Sequence, residues 1–447
     1  MRSSDREQVY FGIDFGTTNC AVAMVQPGKQ IQLANFSFRG EAIPVCRSVL
    51  YFEQTKTSHG QRRAHGYSGP EAIERYLDAD EKGRLIQSLK SHLSSRSLTG
   101  TEIFGRRHRL EELVTRIVSD LRKRAEEQFN VPVRRATVGR PVRFVGSESE
   151  EDDDFAVSRL RDAFLAAGFE EVDFELEPVA AAYAYEANLD RDELILIGDF
   201  GGGTSDFSLL RVGPEVRRRG RRPEDLLGNT GVGLAGDAFD ARLVRKLVSP
   251  ALGSNSNARS LNKILPAVPA WIYANLERWH YLSFLRTNNV REILKSAHIR
   301  ALEPEKIEAL IAIIEGDLGY QLHQSVQKAK YELSQQEQTH FTFRDGGAGP
   351  STIELRIPVL RADFESWIVD DLAAIDHSID SLLKSTGVKP NQVDRVFLTG
   401  GTSFVPAVRR IFTSRFGPDR TRGGNEFTSV AQGLALSAAS RLSGREL

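Results

Sequence analysis

Short apolar runs punctuated by glycine, threonine and asparagine open the chain and return in its middle, with helical periodicity between and after them. Val9 to Val25 carries β-forming residues on either side of Asp14-Phe15-Gly16-Thr17-Thr18-Asn19, which predicts two short strands around a tight turn. The same arrangement recurs downstream, where Leu194-Ile195-Leu196-Ile197-Gly198 leads into Asp199-Phe200-Gly201-Gly202-Gly203-Thr204 and then Ser205-Asp206-Phe207-Ser208-Leu209-Leu210. Asp-Phe-Gly followed by small hydroxyl residues, at the same place in each hairpin, is an internal duplication. Two copies are too few for a propeller or solenoid, and two related lobes facing each other are expected instead.

Between the hairpins, Leu110, Leu113, Val114, Ile117, Val118 and Leu121 mark one face of a helix spanning Leu110 to Phe129. Phe155 to Ala167 predicts a second helix ending at Gly168, preceded by the acidic run Ser147 to Asp154, which reads as a solvated loop with charge suited to a helix N-terminus. The basic run Arg217-Arg218-Arg219-Gly220-Arg221-Arg222 reads as a hairpin tip. Residues 241–330 look mostly helical, with breaks at Pro250, Pro266 and Pro269 and an aromatic-rich stripe of Trp271, Tyr273, Leu276, Trp279 and Leu282 suited to a core. Asp345 to Pro350 predicts a turn between two strands, Val393 to Thr399 a strand entering a Gly-Gly turn, and Thr428 to Leu442 a final helix.

Composition narrows the function classes. With 447 residues, two or three domains can each bury a core. Fifty-nine Lys+Arg against sixty Asp+Glu remove the electrostatic footprint of a dedicated nucleic-acid binder. Cys20 and Cys46 alone supply neither a disulfide framework nor a Cys-rich zinc site, and the nine histidines show no metal-ligand spacing. The polar N-terminus lacks the apolar stretch of a signal peptide, and no run is long enough to span a bilayer, so the expectation is a soluble cytoplasmic protein without membrane or nucleic-acid partners.

The chemistry concentrates at the glycine turns. A Gly/Thr turn after a buried strand exposes backbone N–H groups that cradle phosphate oxygens, and glycine permits the close approach. Asp14 and Asp199, each at the end of its strand, offer hard oxygen ligands suited to Mg2+, which keeps several waters and is shared with substrate phosphates. A third turn, Leu398-Thr399-Gly400-Gly401-Thr402-Ser403, follows a strand and precedes a helix. Gly231-Val232-Gly233-Leu234-Ala235-Gly236 satisfies G-x-G-x-x-G, but polar residues precede it where a dinucleotide fold needs a strand, so a Rossmann site is not expected.

These residues resemble the nucleotide-binding domain of the heat shock protein 70 (DnaK-type) chaperones. The first phosphate motif is Phe11 to Ala23, the connecting motif Glu177-Pro178-Val179-Ala180-Ala181-Ala182-Tyr183-Ala184-Tyr185, the second phosphate motif Asp199 to Asp206 and the adenosine motif Leu398 to Pro406, in matching order over nearly the whole chain. The resemblance implies an α/β, actin-like (ribonuclease H-like, duplicated) two-lobed ATPase fold with mixed sheets flanked by helices. Lobe I would use residues 1–190 with the C-terminal helix 426–447; lobe II would use 191–425, with a helical insertion at about 241–330 that looks longer than its chaperone equivalent. The implied cofactors are ATP/ADP and Mg2+. By position, Gly16, Thr17, Thr18, Asn19, Gly201, Gly202, Gly203 and Thr204 would hold the phosphates, and Asp14 and Asp199 would order the metal. Glu177 and Asp206 would position waters, including the attacking one, and Lys90 resembles the family's catalytic lysine, a surface helix lysine being the alternative.

On the nucleoside side the resemblance implies Gly236 at a glycine-rich helix start, Lys330 for the ribose, Ser334 for the adenine edge, and Gly400, Gly401 and Thr402 in the adenosine turn. Tyr331 and Phe404 stand where the chaperones usually place arginines against the adenine, and Gln327 stands where an acidic ribose contact is usual. Aromatic rings can stack on a base, so base preference is the property these departures touch. After the last helix only Leu442 to Leu447 remain, with no hydrophobic linker or β-sandwich; the expectation is a nucleotide-binding module without a peptide clamp, acting as a nucleotide-controlled switch on a protein partner or client of unknown identity. A small-molecule kinase of the same superfold, an actin-like filament or scaffold protein, and a protein that binds nucleotide without hydrolysing it are the alternatives.

Overall fold

The N-terminal alternation forms the hairpin that the sequence predicts. In the computed structural model, which describes residues 9–26, 28–56, 62–79, 83–186, 189–260, 263–277, 285–345, 353–423 and 426–443, Tyr10–Phe15 pairs antiparallel with Asn19–Val25, Asp14 opposite Ala21 and Phe15 opposite Cys20. On its other edge Tyr10–Phe15 runs parallel to Arg135–Arg140, which in turn runs parallel to Glu171–Leu176. Gln32–Leu33 and Cys46–Arg47 both pair with Asn19–Val25 and complete a six-stranded mixed sheet.

The second hairpin repeats this plan. Glu193–Phe200 pairs antiparallel with Ser205–Val212 and parallel with Arg395–Thr399, beyond which lies Thr421–Gly423, while Leu226–Val232 closes the opposite edge. The turns match too: Gly16 N–H donates to the Asn19 carbonyl and Gly201 N–H to the Thr204 carbonyl, each at 2.9 Å. The duplication therefore extends from a tripeptide to two sheets, each a hairpin whose first strand is followed on its other edge by two successive parallel strands. The fold class is the expected one, α/β with mixed sheets flanked by helices.

All six apolar residues of the predicted face of Leu110–Phe129 are buried. The next helix begins earlier than expected. Ser149 caps it by accepting from Asp152 N–H at 3.2 Å, so Glu150–Ala166 is helical and most of the acidic run is its first turn rather than a loop. One member, Asp153, is buried and accepts from the Phe144 N–H at 2.9 Å. Gly168 ends the element with φ +94°, as a C-terminal glycine does. The basic run also differs from a bare hairpin tip, because Pro214–Arg219 forms a short helix between the paired strands. Its charges are largely spent locally: Arg218 pairs with Glu215, Arg219 with Asp225 and Arg221 with Glu186.

Two helices rich in small residues join the sheets. Glu177–Glu186 and Glu426–Ser443 pack on one another, and the latter also covers Tyr10–Phe15, Asn19–Val25 and Arg135–Arg140. Two glycines set the spacing. A Cβ on Gly12 would lie 2.3 Å from the Ala431 carbonyl oxygen, and one on Gly433 would lie 1.6 Å from the Ala180 carbonyl oxygen. Backbone meets backbone at both points, which only glycine permits.

Packing places the described residues in two compact units, one within Met1–Ala235, Ala374–Ser403 and Val408–Leu447, the other within Gly236–Ala373 and Phe404–Ala407. Both large sheets belong to the first. The second holds the helices Gly236–Leu243, Asn288–Arg300, Pro304–Glu315 and Gly319–Gln335. Residues 241–330 are not wholly helical, since Asn257–Ser260 and Lys263–Pro266 form a small hairpin between the proline breaks. Gln338–Arg344 buries Thr339, Phe341 and Phe343 in strict alternation and pairs with Glu354–Leu360; the turn expected between them falls at residues 346–350, outside the described residues. Of the aromatic stripe, Tyr273 and Leu276 are buried but Trp271 is 45% exposed, so it is not core; Trp279 and Leu282 lie outside the described residues.

Candidate active site

The site grows from the ends of the two duplicated strands. Asp14 and Asp199 occupy equivalent penultimate positions, each followed by Phe and the glycine turn. The copies differ across the hairpin: Asp14 faces Ala21, whereas Asp199 faces Asp206. Glu177 begins its helix beside Gly139, where a Cβ would come within 3.0 Å of the Glu177 Cγ. Lys90 sits in the single 3-10 turn Leu89–His92, entered through Ser88 at φ +56°, and its Nζ donates to Glu177 Oε1 at 2.5 Å. At 6% exposure Lys90 is not a surface lysine.

Each remaining carboxylate has its own support. Asp199 accepts from Thr399 Oγ1 at 2.5 Å, across the parallel pairing that sets Thr399 beside it. Asp206 accepts from the backbone N–H groups of Val142 (3.1 Å) and Arg143 (3.4 Å). Ser48, which carries no sequence signal, donates to the Gly16 carbonyl at 2.7 Å while its N–H donates to Thr18, bracing the first turn. The third glycine turn reaches the same sheet end, with Gly400 at φ +82° and so close to Phe200 that a Cβ would lie 1.9 Å from its carbonyl oxygen. Gly401 is exposed and Thr402 buried.

Four carboxyl groups around one ammonium leave an excess of negative charge in a buried place. Burial first, then the neighbouring Glu177 and Asp199 charges, push Asp14 up to about 8 against the pull of Lys90. Burial and Glu177 raise Asp199 to about 6, opposed by the Thr399 hydrogen bond and Lys90. Asp206 rises well above its ordinary value for the same leading reasons, burial and Glu177. Burial alone would lower Lys90, but the Glu177 and Asp14 carboxylates together hold it above its usual value, so it stays an ammonium. Hard oxygens and uncompensated charge suit a divalent cation, but no cage of three or more acidic, imidazole or thiol ligands is formed among the described residues. Asp14 and Asp199 could hold Mg2+ only with water or substrate oxygens completing its shell.

The raised carboxyls set a pH dependence. Between about pH 4 and 8 the folded state holds protons on Asp14 and Asp199 that the unfolded chain releases, so stability of the nucleotide-free protein falls as pH rises through that window. Asp14→Asn is expected to flatten the slope and to raise stability at pH 8 by on the order of 2 kcal/mol. Urea midpoints in EDTA at pH 5 and pH 8 measure it, and a wild-type slope in the variant would exclude Asp14 as its source.

The nucleoside-side residues Gly236, Lys330, Tyr331, Ser334 and Phe404 belong to the second unit. There Lys330 pairs with the buried Asp240 at 2.7 Å and donates to the Gly236 carbonyl at 3.2 Å, tying it to the glycine-rich helix start. Asp240 was not singled out by sequence, although it falls four residues into the helix that follows Gly236. Ser334 Oγ donates to the Lys330 carbonyl at 3.0 Å. Tyr331 (58%) and Phe404 (42%) are exposed rings, as stacking surfaces must be. Before the G-x-G-x-x-G run there is a strand, Leu226–Val232, contrary to expectation; its antiparallel edge pairing differs from the parallel βαβ unit of a dinucleotide site. No helix among the described residues is long and apolar enough to cross a membrane.

The family model described as Hsp70 protein matches residues 10–256 and 315–446, and the unmatched stretch falls inside the helical region expected as an insertion. The DnaK chaperone protein of Thermosipho africanus (strain TCF52B) is 25% identical over 442 residues, 98% of this chain and 60% of the relative. That of Thermosipho melanesiensis is 24% identical over 444 residues, with the same shares covered. The chain thus spans about 60% of the length of these curated relatives. With the duplicated hairpins, the carboxylate cluster and a family match across most of its length, the chain belongs to the Hsp70 protein family.

Proposed function

We propose that the protein is an Mg2+-dependent ATPase of the chaperone type, a nucleotide-controlled conformational switch that acts on a protein partner. The observation that carries this reading is the buried Lys90–Glu177 pair set among Asp14, Asp199 and Asp206 at the ends of the duplicated phosphate hairpins. The two lobes of the switch would be residues 1–190 with 426–447, and 191–425. In this reading the turn amides of Gly16 to Asn19 and Gly201 to Thr204 bind phosphate oxygens, and Lys90 serves as a point charge on the transferred group. Glu177 and Asp206 hold the attacking water, Asp206 being oriented by Val142 and Arg143. Bound through Asp14 and Asp199, Mg2+ supplies charge neutralisation of the phosphates. Tyr331 and Phe404 stack on the base, and Lys330, steered by Asp240, meets the ribose. A cytoplasmic setting belongs to the same proposal.

The direct test is phosphate and ADP release from ATP with Mg2+ and no added acceptor, by wild type and Asp199→Ala. Slow turnover in the wild type, reduced about 100-fold or more in the variant with ATP still bound, is the expected result. Bound ATP without any turnover in the wild type would overturn the autonomous ATPase and favour a protein that needs an acceptor.

A further inference from the structure

Resting on the ATPase reading above, we propose that Arg159 is the positioning residue for Lys90, holding the segment that carries it from behind the site. Arg159 projects from the Glu150–Ala166 helix, is 5% exposed, and spends its guanidinium on one stretch of backbone. Its Nη1 donates to the carbonyls of Ser95 (3.0 Å), Leu93 (3.2 Å) and His92 (3.4 Å), and its Nη2 to that of Leu98 (3.2 Å). Nε donates to Glu111 Oε1 at 2.6 Å, which neutralises the charge and fixes the plane of the fork.

The segment needs such an anchor. Residues 88–98 hold one 3-10 turn, and the backbone bonds within it are Ser91 to Ser88, Leu93 to Lys90 and Ser95 to His92. A single turn closed by so few backbone bonds has little intrinsic stability. Arg159 adds bonds to the carbonyls of His92, Leu93, Ser95 and Leu98, and Ser94 Oγ, donating to the Val145 carbonyl at 2.5 Å, pins the middle. The turn thereby presents Lys90 to Glu177 while Ser91 lies against the second phosphate hairpin, its Oγ 3.5 Å from where a Gly203 Cβ would be. Because Arg159 is paired with Glu111 and faces backbone, it contacts no phosphate in this arrangement; its effect on the reaction passes through Lys90. Lysine cannot replace it fully, having three donors on one atom instead of five in a planar fork.

The full chain is compared as wild type, Arg159→Lys, Arg159→Met, Lys90→Met and the Arg159→Met/Lys90→Met double variant. ATP turnover with Mg2+ and amide hydrogen exchange of residues 89–98 are both measured. A misplaced point charge predicts a 10- to 100-fold lower kcat in Arg159→Met with KM for ATP within about threefold. Exchange at 89–98 should quicken while Leu110–Phe129 stays protected, and Arg159→Lys should recover part of both. In the Lys90→Met background, Arg159→Met should lower kcat by no more than about twofold, since the group it positions is gone. Wild-type kcat in Arg159→Met, unchanged exchange at 89–98, or a full additive loss in the double variant would each overturn the proposal. If wild type itself releases no phosphate, the ATPase reading fails, yet exchange still decides whether Arg159 anchors the segment. Should Arg159→Met lose protection across Leu110–Phe129 and so prove misfolded, Arg159→Lys carries the comparison.

Discussion

Lys90→Met is expected to reduce single-turnover ATP hydrolysis by about 100-fold or more while changing nucleotide affinity by less than about tenfold. The argument is one of charge. The Lys90 ammonium lowers both Asp14 and Asp199 against burial and the Glu177 charge. Without it the carboxyls become harder to ionise, and the phosphoryl group loses a fixed positive charge in a water-poor place, where such charges act most strongly. Binding depends mainly on the turn amides, which the substitution leaves intact. The change also leaves Glu177 without its 2.5 Å partner, and breaking one side of a buried pair costs about 3–5 kcal/mol unless the survivor takes up a proton. Circular dichroism and nucleotide binding therefore accompany the rate measurement. A loss below about fivefold in a folded variant would remove Lys90 from the chemistry.

Gly433→Ala is expected to be strongly destabilising, although intrinsic helix propensity points the other way. In a helix interior alanine is favoured over glycine by about 1 kcal/mol. Against this stands the Ala180 carbonyl, whose oxygen would lie 1.6 Å and carbon 2.4 Å from the new Cβ. Backbone cannot rotate aside as a side-chain tip can, so Glu426–Ser443 would have to move off Glu177–Glu186 and give up packing that includes Val430 and Leu434. Overpacking of this kind typically costs about 1–3 kcal/mol, and more where backbone must shift, so a net loss of about 3 kcal/mol is expected. The helix it presses against begins at Glu177, so hydrolysis should fall along with stability. Urea denaturation of wild type and variant measures the first; a variant as stable as wild type would show that the two helices can separate freely.

What the sequence made legible followed from repetition and periodicity. Asp14 and Asp199 were found because a strand, an Asp-Phe-Gly and a hydroxyl-rich turn occur twice, and Leu110 to Leu121 because six apolar residues fall on one helical face. The helix begins at Glu150, five residues before the Phe155 that periodicity marks, because the acidic side chains between them form a capped N-terminal turn and not only solvated charge. Ser48, Thr399, Asp240 and Arg159 act on residues distant in sequence, namely Gly16, Asp199, Lys330 and the segment 92–98, and no local pattern marks such partners. Thr399 came nearest to being readable, since the duplication placed a parallel strand beside Asp199. Trp271 is exposed beside the buried Tyr273 and Leu276, because aromatic character alone does not place a residue on the buried face of a helix.

The crossing of Gly12 by the helix around Ala431 has a consequence for the making of the protein. The strand Tyr10–Phe15 leaves the ribosome about 400 residues ahead of the helix that seals its face, which at about 5–20 residues per second is roughly 20–80 s of translation. Throughout that interval the N-terminal sheet has an open apolar seam, lined by Ala21, Ala23 and Val25, that its own chain cannot yet cover. The protein is thus a nascent chain with a long period of exposure, which closes only when that helix arrives.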